Sequence, residues 1–343
     1  MTTDASSTPP ATAPFSVPVL TAADHAAATA RATGVVWWPL EGRWFQCQGP
    51  KTVEALNGLV TNDVVALPVG QAQHAAALTA KGKVVTDLLL VRHDPTTVLI
   101  WAPTAGADAW QAMIRKYVNP RLSVMTDVSA QWHGVLLTGA AVPAVRTAFE
   151  EAMTPPSAEA LARDGWHVVP APFGLSAPSA LLLVAGDAAS ASLRAALDAP
   201  GGHRASPALA TVLRVEAGWP ALGVEMDSET LAQEANLDAL GAISFTKGCY
   251  TGQETVARIH FRGHVNRQLR GLASARVLEP GATVLGAEDA VIGTVRSAVD
   301  SPAHGPIALA MLRRELPVGG TVTVMQGSDR MTATVVALPF GAP

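Results

Sequence analysis

Residues 245–258 read FTKGCYTGQETVAR, and this stretch joins a turn to the predicted start of a helix. Thr251 and Glu254 have the spacing of a capping box, in which each side chain bonds to a backbone N–H of the first helical turn. A short helix is therefore expected to begin near Gly252. Cys249 precedes that position, so the sequence places a thiol beside the positive end of the helix dipole.

Two interpretations of Cys249 stay open at this point. Its neighbours Lys247 and Gly248 favour a reactive group, because the charge and the helix dipole stabilise a thiolate and the glycine leaves space beside the sulfur. The alternative is a structural cysteine buried in a strand-to-helix turn, since cysteine is among the most buried residue types. Cys47 lies within the strand-like run WFQCQG, residues 44–49, and is predicted to be a core residue.

The composition of the 343-residue chain argues against several classes of protein. A formal net charge of -4 disfavours a general nucleic-acid-binding protein, which usually has a basic face, although a local basic patch stays compatible with it. Two cysteines are too few for a disulfide framework or for a self-contained Fe–S cluster. No apolar run approaches the ~20 residues of a membrane helix, and the N-terminus lacks the basic start of a signal peptide. We therefore expect a soluble cytoplasmic protein.

The predicted elements after residue 130 fall into two groups. Strands and helices follow the order β-α-β-β-α-β from HGVLLTG, residues 133–139, to ATVLRVEAG, residues 210–218, which is a ferredoxin-like pattern. The second helix of this pattern is DAASASLRAALD, residues 187–198, capped by Asp187. After residue 268, six short apolar runs separated by Gly and Pro predict a small all-β barrel or sandwich.

Other motifs give weaker indications of chemistry. His260 and His264 are four residues apart, but no acidic third ligand has a suitable spacing, so no metal site is predicted. Nucleotide-binding and α/β-hydrolase motifs are absent from the sequence. Glu216 lies among small and apolar residues and needs a partner. That partner is either Arg214 or another basic side chain, or a ligand edge with two adjacent N–H donors. The 2-amino-4-oxo edge of a pterin has such a pair of donors.

The motif KGCYTGQE, residues 247–254, resembles the signature of the YgfZ-type folate-binding proteins, which are relatives of the glycine cleavage system T-protein, an aminomethyltransferase. Supporting matches include GPKTVEALNGLVTNDV, TAKGKVVTDLLLVR, the long stretch from RVEAG to QLRGL, and IGTVRSAV. The resemblance implies a T-protein-like α+β fold in three parts, and the Ser/Thr/Pro/Ala content of the N-terminus predicts a flexible tail before them. These parts are a folate-binding domain (31–130 and 205–267), a ferredoxin-like domain (131–204) and a C-terminal β-barrel (268–343), and the tail is 1–30.

The resemblance also implies that tetrahydrofolate, or a one-carbon derivative of it, binds in a central cavity. Glu216 matches the T-protein glutamate that holds the pterin, and Asp87 falls where T-protein carries its catalytic aspartate. T-protein usually has two acids at that place, whereas this chain has Thr86 followed by Asp87. The other residues of the matched stretches that we predict to contact the cofactor are Asn62, Tyr250, Gln253 and Arg258.

T-protein lacks the Lys-Gly-Cys-Tyr turn, which moves the expected function away from glycine cleavage and towards a functional Cys249. In YgfZ-type proteins the implied role is support of Fe–S cluster assembly or repair, with effects on tRNA-modifying enzymes. Cys249 and Lys247 are therefore the predicted catalytic residues. The expected partners are folate and iron–sulfur client proteins or assembly factors, without a membrane and without direct contact to nucleic acid.

Two other functions stay open, and so does the question of whether the protein turns over a substrate. The first alternative is a folate-dependent aminomethyltransferase that acts through Asp87. The second is a hydrolase with Cys249 as nucleophile, which would need His260 or His264 within reach of the sulfur.

Overall fold

The computed structural model describes residues 15–152, 166–170, 177–186, 197 and 201–341. In these ranges the chain forms two five-stranded sheets and one closed six-stranded barrel, with helices packed against them. The α+β class and the C-terminal barrel predicted from the sequence are confirmed. The helix predicted at 187–198 lies outside the described residues except for Leu197.

The first sheet is antiparallel and forms the body of the N-terminal part. Its strands, in spatial order, are β3 (Ala72–Leu78), β4 (Val84–Arg92), β5 (Thr97–Ala102), β2 (Arg43–Gln48) and β6 (Val124–Asp127). Successive residues of a strand point to opposite faces. Leu88 and Leu90 of β4 therefore share one hydrophobic cluster with helices α2 (Thr52–Asn57) and α3 (Thr104–Tyr117). Leu89 and Val91 belong to a second cluster on the opposite face.

The second sheet combines one early strand with strands from the middle of the chain. Its strands, in spatial order, are β10 (Gly202–Arg204), β1 (Val35–Pro39), β7 (Trp132–Thr138), β9 (Ser179–Ala185) and β8 (Trp166–Pro170). β1 and β10 are parallel, whereas the other neighbours are antiparallel. Helix α4 (Val142–Ala152) follows β7 and contacts β9.

In two places the described structure differs from the boundaries predicted for the N-terminal part. The tail does not extend to residue 30, because helix α1 (Ala22–Ala30) begins after a capping box formed by Thr21 and Asp24. The strand Val35–Pro39 was assigned to the folate-binding part, but it pairs with β7 and β10 of the second sheet. Strand pairing depends on residues about 100 positions away, so the local pattern alone did not place it.

The stretch ATVLRVEAG, predicted to be the last strand of the ferredoxin-like pattern, is helical. Helix α5 (Pro207–Glu216) begins after Ser206, whose hydroxyl accepts a hydrogen bond from the N–H of Leu209. Its buried residues recur with helical spacing, and they are Leu209, Val212, Leu213, Val215 and Glu216. The short strand β10 precedes this helix and lies at the edge of the second sheet.

The barrel follows helix α6 (Gln253–Arg262) and closes on itself, which leaves no unpaired strand edge. Its strands, in spatial order, are β11 (Arg267–Ser274), β14 (Gly305–Arg313), β13 (Val291–Ser301), β12 (Thr283–Leu285), β15 (Thr321–Gln326) and β16 (Asp329–Val336). One hydrophobic cluster contains side chains from both sheets, from α5 and from the outer wall of the barrel. α5 therefore lies at the junction of all three parts.

Candidate functional site

A cavity of about 770 Å³ lies beside α5, between the first and second sheets. Its walls are largely apolar and include three tryptophans, Trp38, Trp101 and Trp219. The polar side chains in its wall are Thr21, Asp24, Glu41, Asp87, Arg204, Ser206, Thr211 and Arg214. A volume of this size and a mostly apolar wall with a few polar groups are typical of small-molecule sites.

Asp87 is the predicted site residue that lines this cavity. β4 alternates its side chains, so Asp87 and Leu89 point to the face opposite the one that packs on α2 and α3. The carboxylate is 2% exposed, and its Oδ2 lies 3.5 Å from Nε2 of His74 on the neighbouring strand β3. The ring of His74 meets that of Trp219 edge-on, with centroids 6.4 Å apart. The cavity therefore has an acid–imidazole pair beside an indole.

Arg214 and Glu225 form an ion pair that sequence reasoning missed. Nη1 of Arg214 lies 2.9 Å from Oε2 of Glu225 and donates a second hydrogen bond to the carbonyl of Trp219 at 2.7 Å. Glu225 also accepts the N–H of Ala221 at 2.8 Å and the hydroxyl of Ser297 in the barrel. The pair fixes the loop that follows α5, and this loop supplies one wall of the cavity.

Glu216 is not part of the cavity wall. Its Oε2 lies 2.9 Å from Nη1 of Arg31, and its Oε1 accepts a hydrogen bond of 2.6 Å from Ser301 of the barrel. The sequence predicts Arg214 or another basic side chain as partner, and that partner is Arg31. Arg214 itself does not face Glu216, because residues two apart on a helix point in different directions. The carboxylate, 2% exposed, links α5 to the segment after α1 and to the barrel. Its position does not support direct contact with a pterin in this cavity.

Cys249 is exposed, so the interpretation as a buried structural cysteine is wrong. Cys47 is buried in the first sheet as predicted, and burial raises the pKa of its thiol to about 12. A Cβ atom added to Gly248 would meet nothing within 4 Å, so the turn does not require glycine there. The close approach occurs at Gly252, which has a φ of 85° and whose Cβ would lie 2.6 Å from the carbonyl oxygen of Thr79.

Helix α6 begins near the predicted position but without the predicted capping box. Gly252 is the N-cap residue, and no side chain forms a capping hydrogen bond. The backbone N–H of Thr251 instead donates to the carbonyl of Gly58. The left-handed conformation of Gly252 turns the chain into the helix and packs it against the β3–β4 hairpin.

Lys247 acts as a clamp between the cysteine turn and the loop after α2. Its buried Nζ donates to the carbonyl oxygens of Asn57, Val60 and Asn62 at 2.6, 2.7 and 2.8 Å. It also lies 4.9 Å from the ring centroid of Tyr250. Burial lowers the pKa of Lys247 to about 8, although its interaction with the charge of Asp63 acts in the opposite direction. With three carbonyls as acceptors, this ammonium has a structural role in the turn.

The remaining predicted site residues surround the same turn. The side-chain nitrogen of Asn62 donates to the carbonyls of His74 and Gly241. Tyr250 is buried, and burial raises the pKa of its hydroxyl to about 12. Gln253 is the first residue of α6, and Arg258 is exposed on that helix.

Glu216 lies at the junction of α5 with the barrel, and the other predicted residues occupy two separate places. Asp87 lies in the cavity, whereas Cys249, Lys247, Tyr250 and Gln253 belong to the turn and the start of α6. Both places rest on the same hairpin, since β4 carries Asp87 and the β3–β4 turn contacts Gly252.

Two features are absent from the described part of the chain, a cluster of metal-ligand side chains and a membrane-length helix. In the ranges that the structure describes, no group of three or more His, Cys, Asp or Glu side chains is placed to hold a metal ion. Among the helices of those ranges, none is long and apolar enough to cross a membrane.

Comparison with known protein families gives two matches along the chain. Residues 23–159 match the GCVT N-terminal domain, and residues 267–341 match the glycine cleavage T-protein C-terminal barrel domain. The crystal structure of glycine cleavage system aminomethyltransferase T from Bartonella henselae has a TM-score of 0.79 and 20% sequence identity. That match covers 92% of this chain and 89% of the other, which shows a shared fold.

Curated relatives give a closer match in sequence. The chain is 32% identical over 306 residues to the tRNA-modifying protein YgfZ of Cronobacter sakazakii, with 85% of this chain and 88% of that protein covered. It is 30% identical over 335 residues to the tRNA-modifying protein YgfZ of Edwardsiella ictaluri, with 96% and 97% covered.

Proposed function

The chain belongs to the YgfZ family, which has the fold of the glycine cleavage T-protein, and we propose on this basis that it is a tetrahydrofolate-binding accessory protein. In this proposal it supports the assembly or repair of Fe–S clusters in client enzymes, including enzymes that modify tRNA. Cys249 is the group that meets the client or an assembly factor. The protein works in the cytoplasm, where its two thiols stay reduced.

The observation that carries this proposal is the tryptophan-lined cavity with Asp87 in its wall. Its residues fit a folate in three respects, namely volume, aromatic surface and charge. Flat heteroaromatic rings stack on indole, and a carboxylate accepts two adjacent N–H donors such as those of the pterin edge. Asp87 is better placed for that contact than Glu216, because the Glu216 carboxylate is already held by Arg31 and Ser301. When bound, the folate would supply one-carbon chemistry, and the protein residues bind and orient it.

Binding can be tested through the tryptophans of the cavity. Tetrahydrofolate should quench the intrinsic fluorescence of the wild-type protein in a saturable manner. Ala210 on α5 lines the cavity, so Ala210→Phe should occupy part of it and weaken binding by about tenfold or more. Ala208→Phe is the matched control, because Ala208 is on the same helix but outside the lining. Absence of saturable quenching in the wild type, or equal affinities in both variants, would reject the folate site.

The role of Cys249 can be tested by capturing its partners. A client or assembly factor whose thiol meets Cys249 should be trapped as a mixed disulfide when cells that express the wild-type protein are treated with a thiol oxidant, which takes up the two electrons. Cys249→Ser should abolish trapping and lower the activity of Fe–S enzymes in the same cells. Full Fe–S enzyme activity with Cys249→Ser would argue that the thiol is dispensable.

Aminomethyl transfer is the second candidate, and the buried pair of Asp87 and His74 at the cavity favours it. An acid beside an imidazole is able to move a proton at a bound one-carbon group. The test is formation of methylene-tetrahydrofolate from an aminomethylated lipoyl carrier. Turnover at an enzyme-like rate that Asp87→Asn abolishes would favour this candidate over the accessory role. We expect instead no such turnover by the wild-type protein.

A further inference from the structure

Two polar clefts meet at one rim of the barrel, apart from the tryptophan-lined cavity. The larger cleft, about 660 Å³, is lined by the start of β11, by β13 and by the end of β14. The smaller cleft, about 330 Å³, is lined by the end of α6 and by β11. Arg267 and Arg313 belong to the larger cleft, and the residues that follow each of them belong to the smaller one. Successive residues of a strand point to opposite faces, so the two clefts adjoin across the start of β11, and we call the two together the rim surface.

Positive charge predominates on the rim surface although the whole chain has a net charge of -4. Five arginines line the two clefts, and they are Arg267, Arg270, Arg296, Arg313 and Arg314. Three acids accompany them, and they are Glu234, Asp238 and Glu315. All the cations are guanidinium groups, whose planar forks suit the oxygens of phosphates. His260 and His264 add further nitrogen donors to the smaller cleft.

Arg296 reaches the larger cleft because of a β-bulge. The register between β13 and β14 shifts between Val295 and Ser297, so Arg296 is the extra residue of the strand. Bulges re-aim side chains in this way. Nε of Arg296 is buried and has no hydrogen-bond partner among the described residues. A buried donor without an acceptor is unfavourable, so this group is suited to an anionic ligand.

Arg313 is a second uncompensated charge in the same cleft. It lies directly opposite Arg267 in the β11–β14 register, and like charges in that position repel each other. Arg267 is neutralised by Glu234, with 2.9 Å between Nε and Oε1. Neither Arg313 nor Arg296 forms an ion pair within 4 Å in the described ranges. Arg296 interacts electrostatically with Asp227. The carboxylate of Asp227 already accepts hydrogen bonds from residues of its own loop.

An exposed aromatic side chain adjoins the smaller cleft. Phe261, near the end of α6, is 67% exposed. Its ring lies edge-on to that of His260, with centroids 4.7 Å apart, and His260 stacks on Phe245 at 3.6 Å. A basic groove beside an exposed aromatic ring is typical of proteins that bind single-stranded nucleic acid, because any base can stack on the ring.

We propose that the rim surface binds single-stranded RNA, with phosphates in the arginine clefts and a base stacked on Phe261. An acidic protein segment would use the arginines but has no need of an exposed ring, which is why RNA is favoured. The inference goes beyond the proposed folate-dependent role, and it departs from the expectation of no direct nucleic-acid contact. That expectation rested on the net charge, which averages over the whole chain, whereas binding depends on the local field.

The full chain should bind a fluorescein-labelled RNA of about 12 nucleotides and mixed sequence in an anisotropy titration at about 50 mM salt. Arg296→Ala and Arg313→Ala should each weaken binding by about five- to tenfold and reduce the salt slope by about one. Phe261→Leu should weaken it by about tenfold, whereas Phe261→Tyr should bind like the wild type. Arg276→Ala is the matched control, since Arg276 lies beyond the far end of β11, roughly 25 Å from Arg267.

Four results would overturn the proposal, three of them seen with RNA or polyglutamate and one with inorganic phosphate. The first three are no RNA binding by the wild type at low salt, equal affinities of the wild type and the arginine variants, and displacement of RNA by polyglutamate at equal charge concentration. Inorganic phosphate that displaces the RNA at equal phosphate concentration would also overturn it, because it would indicate a site for free phosphate. Tetrahydrofolate binding by the arginine variants should equal that of the wild type. Failure of the folate proposal and failure of the RNA proposal are therefore distinguishable.

Discussion

The ammonium nitrogen of Lys247 lies 2.7 Å from the carbonyl oxygen of Val60. Lys247 is only two residues before the exposed Cys249 in the chain. Two more carbonyls accept hydrogen bonds from the same nitrogen. The charge expected to activate the thiol is therefore directed at the backbone of the loop after α2. The motif uses its lysine to hold the turn in place and presents its cysteine to solvent.

Replacement of Lys247 by methionine should destabilise the fold, because it leaves three carbonyls without their donor while keeping the shape of the apolar stem. We expect the free energy of unfolding to fall by about 2–4 kcal/mol in urea denaturation. Lys51→Met is the control, since Lys51 forms an exposed pair with Glu54 and should change stability by less than about 0.5 kcal/mol. Equal stability of the wild type and Lys247→Met would contradict the clamp.

Alkylation should distinguish the two cysteines in the native protein. Cys249 is exposed, whereas Cys47 is buried and its thiol has a pKa of about 12. Mass spectrometry after a short treatment with iodoacetamide should therefore find Cys249 labelled well before Cys47. Cys249→Ser should keep the melting temperature and tetrahydrofolate affinity of the wild type. Simultaneous labelling of both cysteines in the folded protein would contradict this placement.

Glu216→Gln should act mainly on stability. Loss of the charge leaves Arg31 without its carboxylate in a half-buried site, and we expect a loss of about 2–3 kcal/mol in the free energy of unfolding. The affinity for tetrahydrofolate should change by less than about twofold, because Glu216 is absent from the described cavity wall. A large loss of affinity at unchanged stability would restore the pterin-holding role that the family resemblance implies.

Stability should fall in mild acid because of His167. Burial and then the charge of His93, whose Nδ1 lies 2.8 Å from Nε2 of His167, lower the pKa of His167 to about 4. The unfolded chain binds this proton below about pH 6.5, whereas the folded protein resists it until about pH 4, so stability decreases as the pH falls through that window. The expected loss between pH 7 and pH 5 is about 2 kcal/mol in urea denaturation. His167→Gln should not show this loss of stability between pH 7 and pH 5. The same pH dependence in the variant as in the wild type would refute the role of His167.

The sequence by itself determined the family, the strands of the barrel and the burial of Cys47. These features depend on local patterns, namely a specific motif, apolar runs of period two and turn residues between them. Local patterns also misled in one place, because ATVLRVEAG has apolar residues that suit either a strand or a helix. Ser206 and Pro207 indicate a helix start, and the stretch after them is helical.

The tertiary structure alone decided which charges pair with which. Arg31 and Glu216 are 185 residues apart, and Lys247 reaches carbonyls up to 190 residues away. Such partners are set by how sheets, α5 and the barrel pack together, and no periodicity in the chain encodes them. The same packing buries Asp87 in the cavity and leaves Cys249 exposed, although both lie near the β3–β4 hairpin. Which of the two is buried depends on contacts between distant segments, and these exist only in the folded protein.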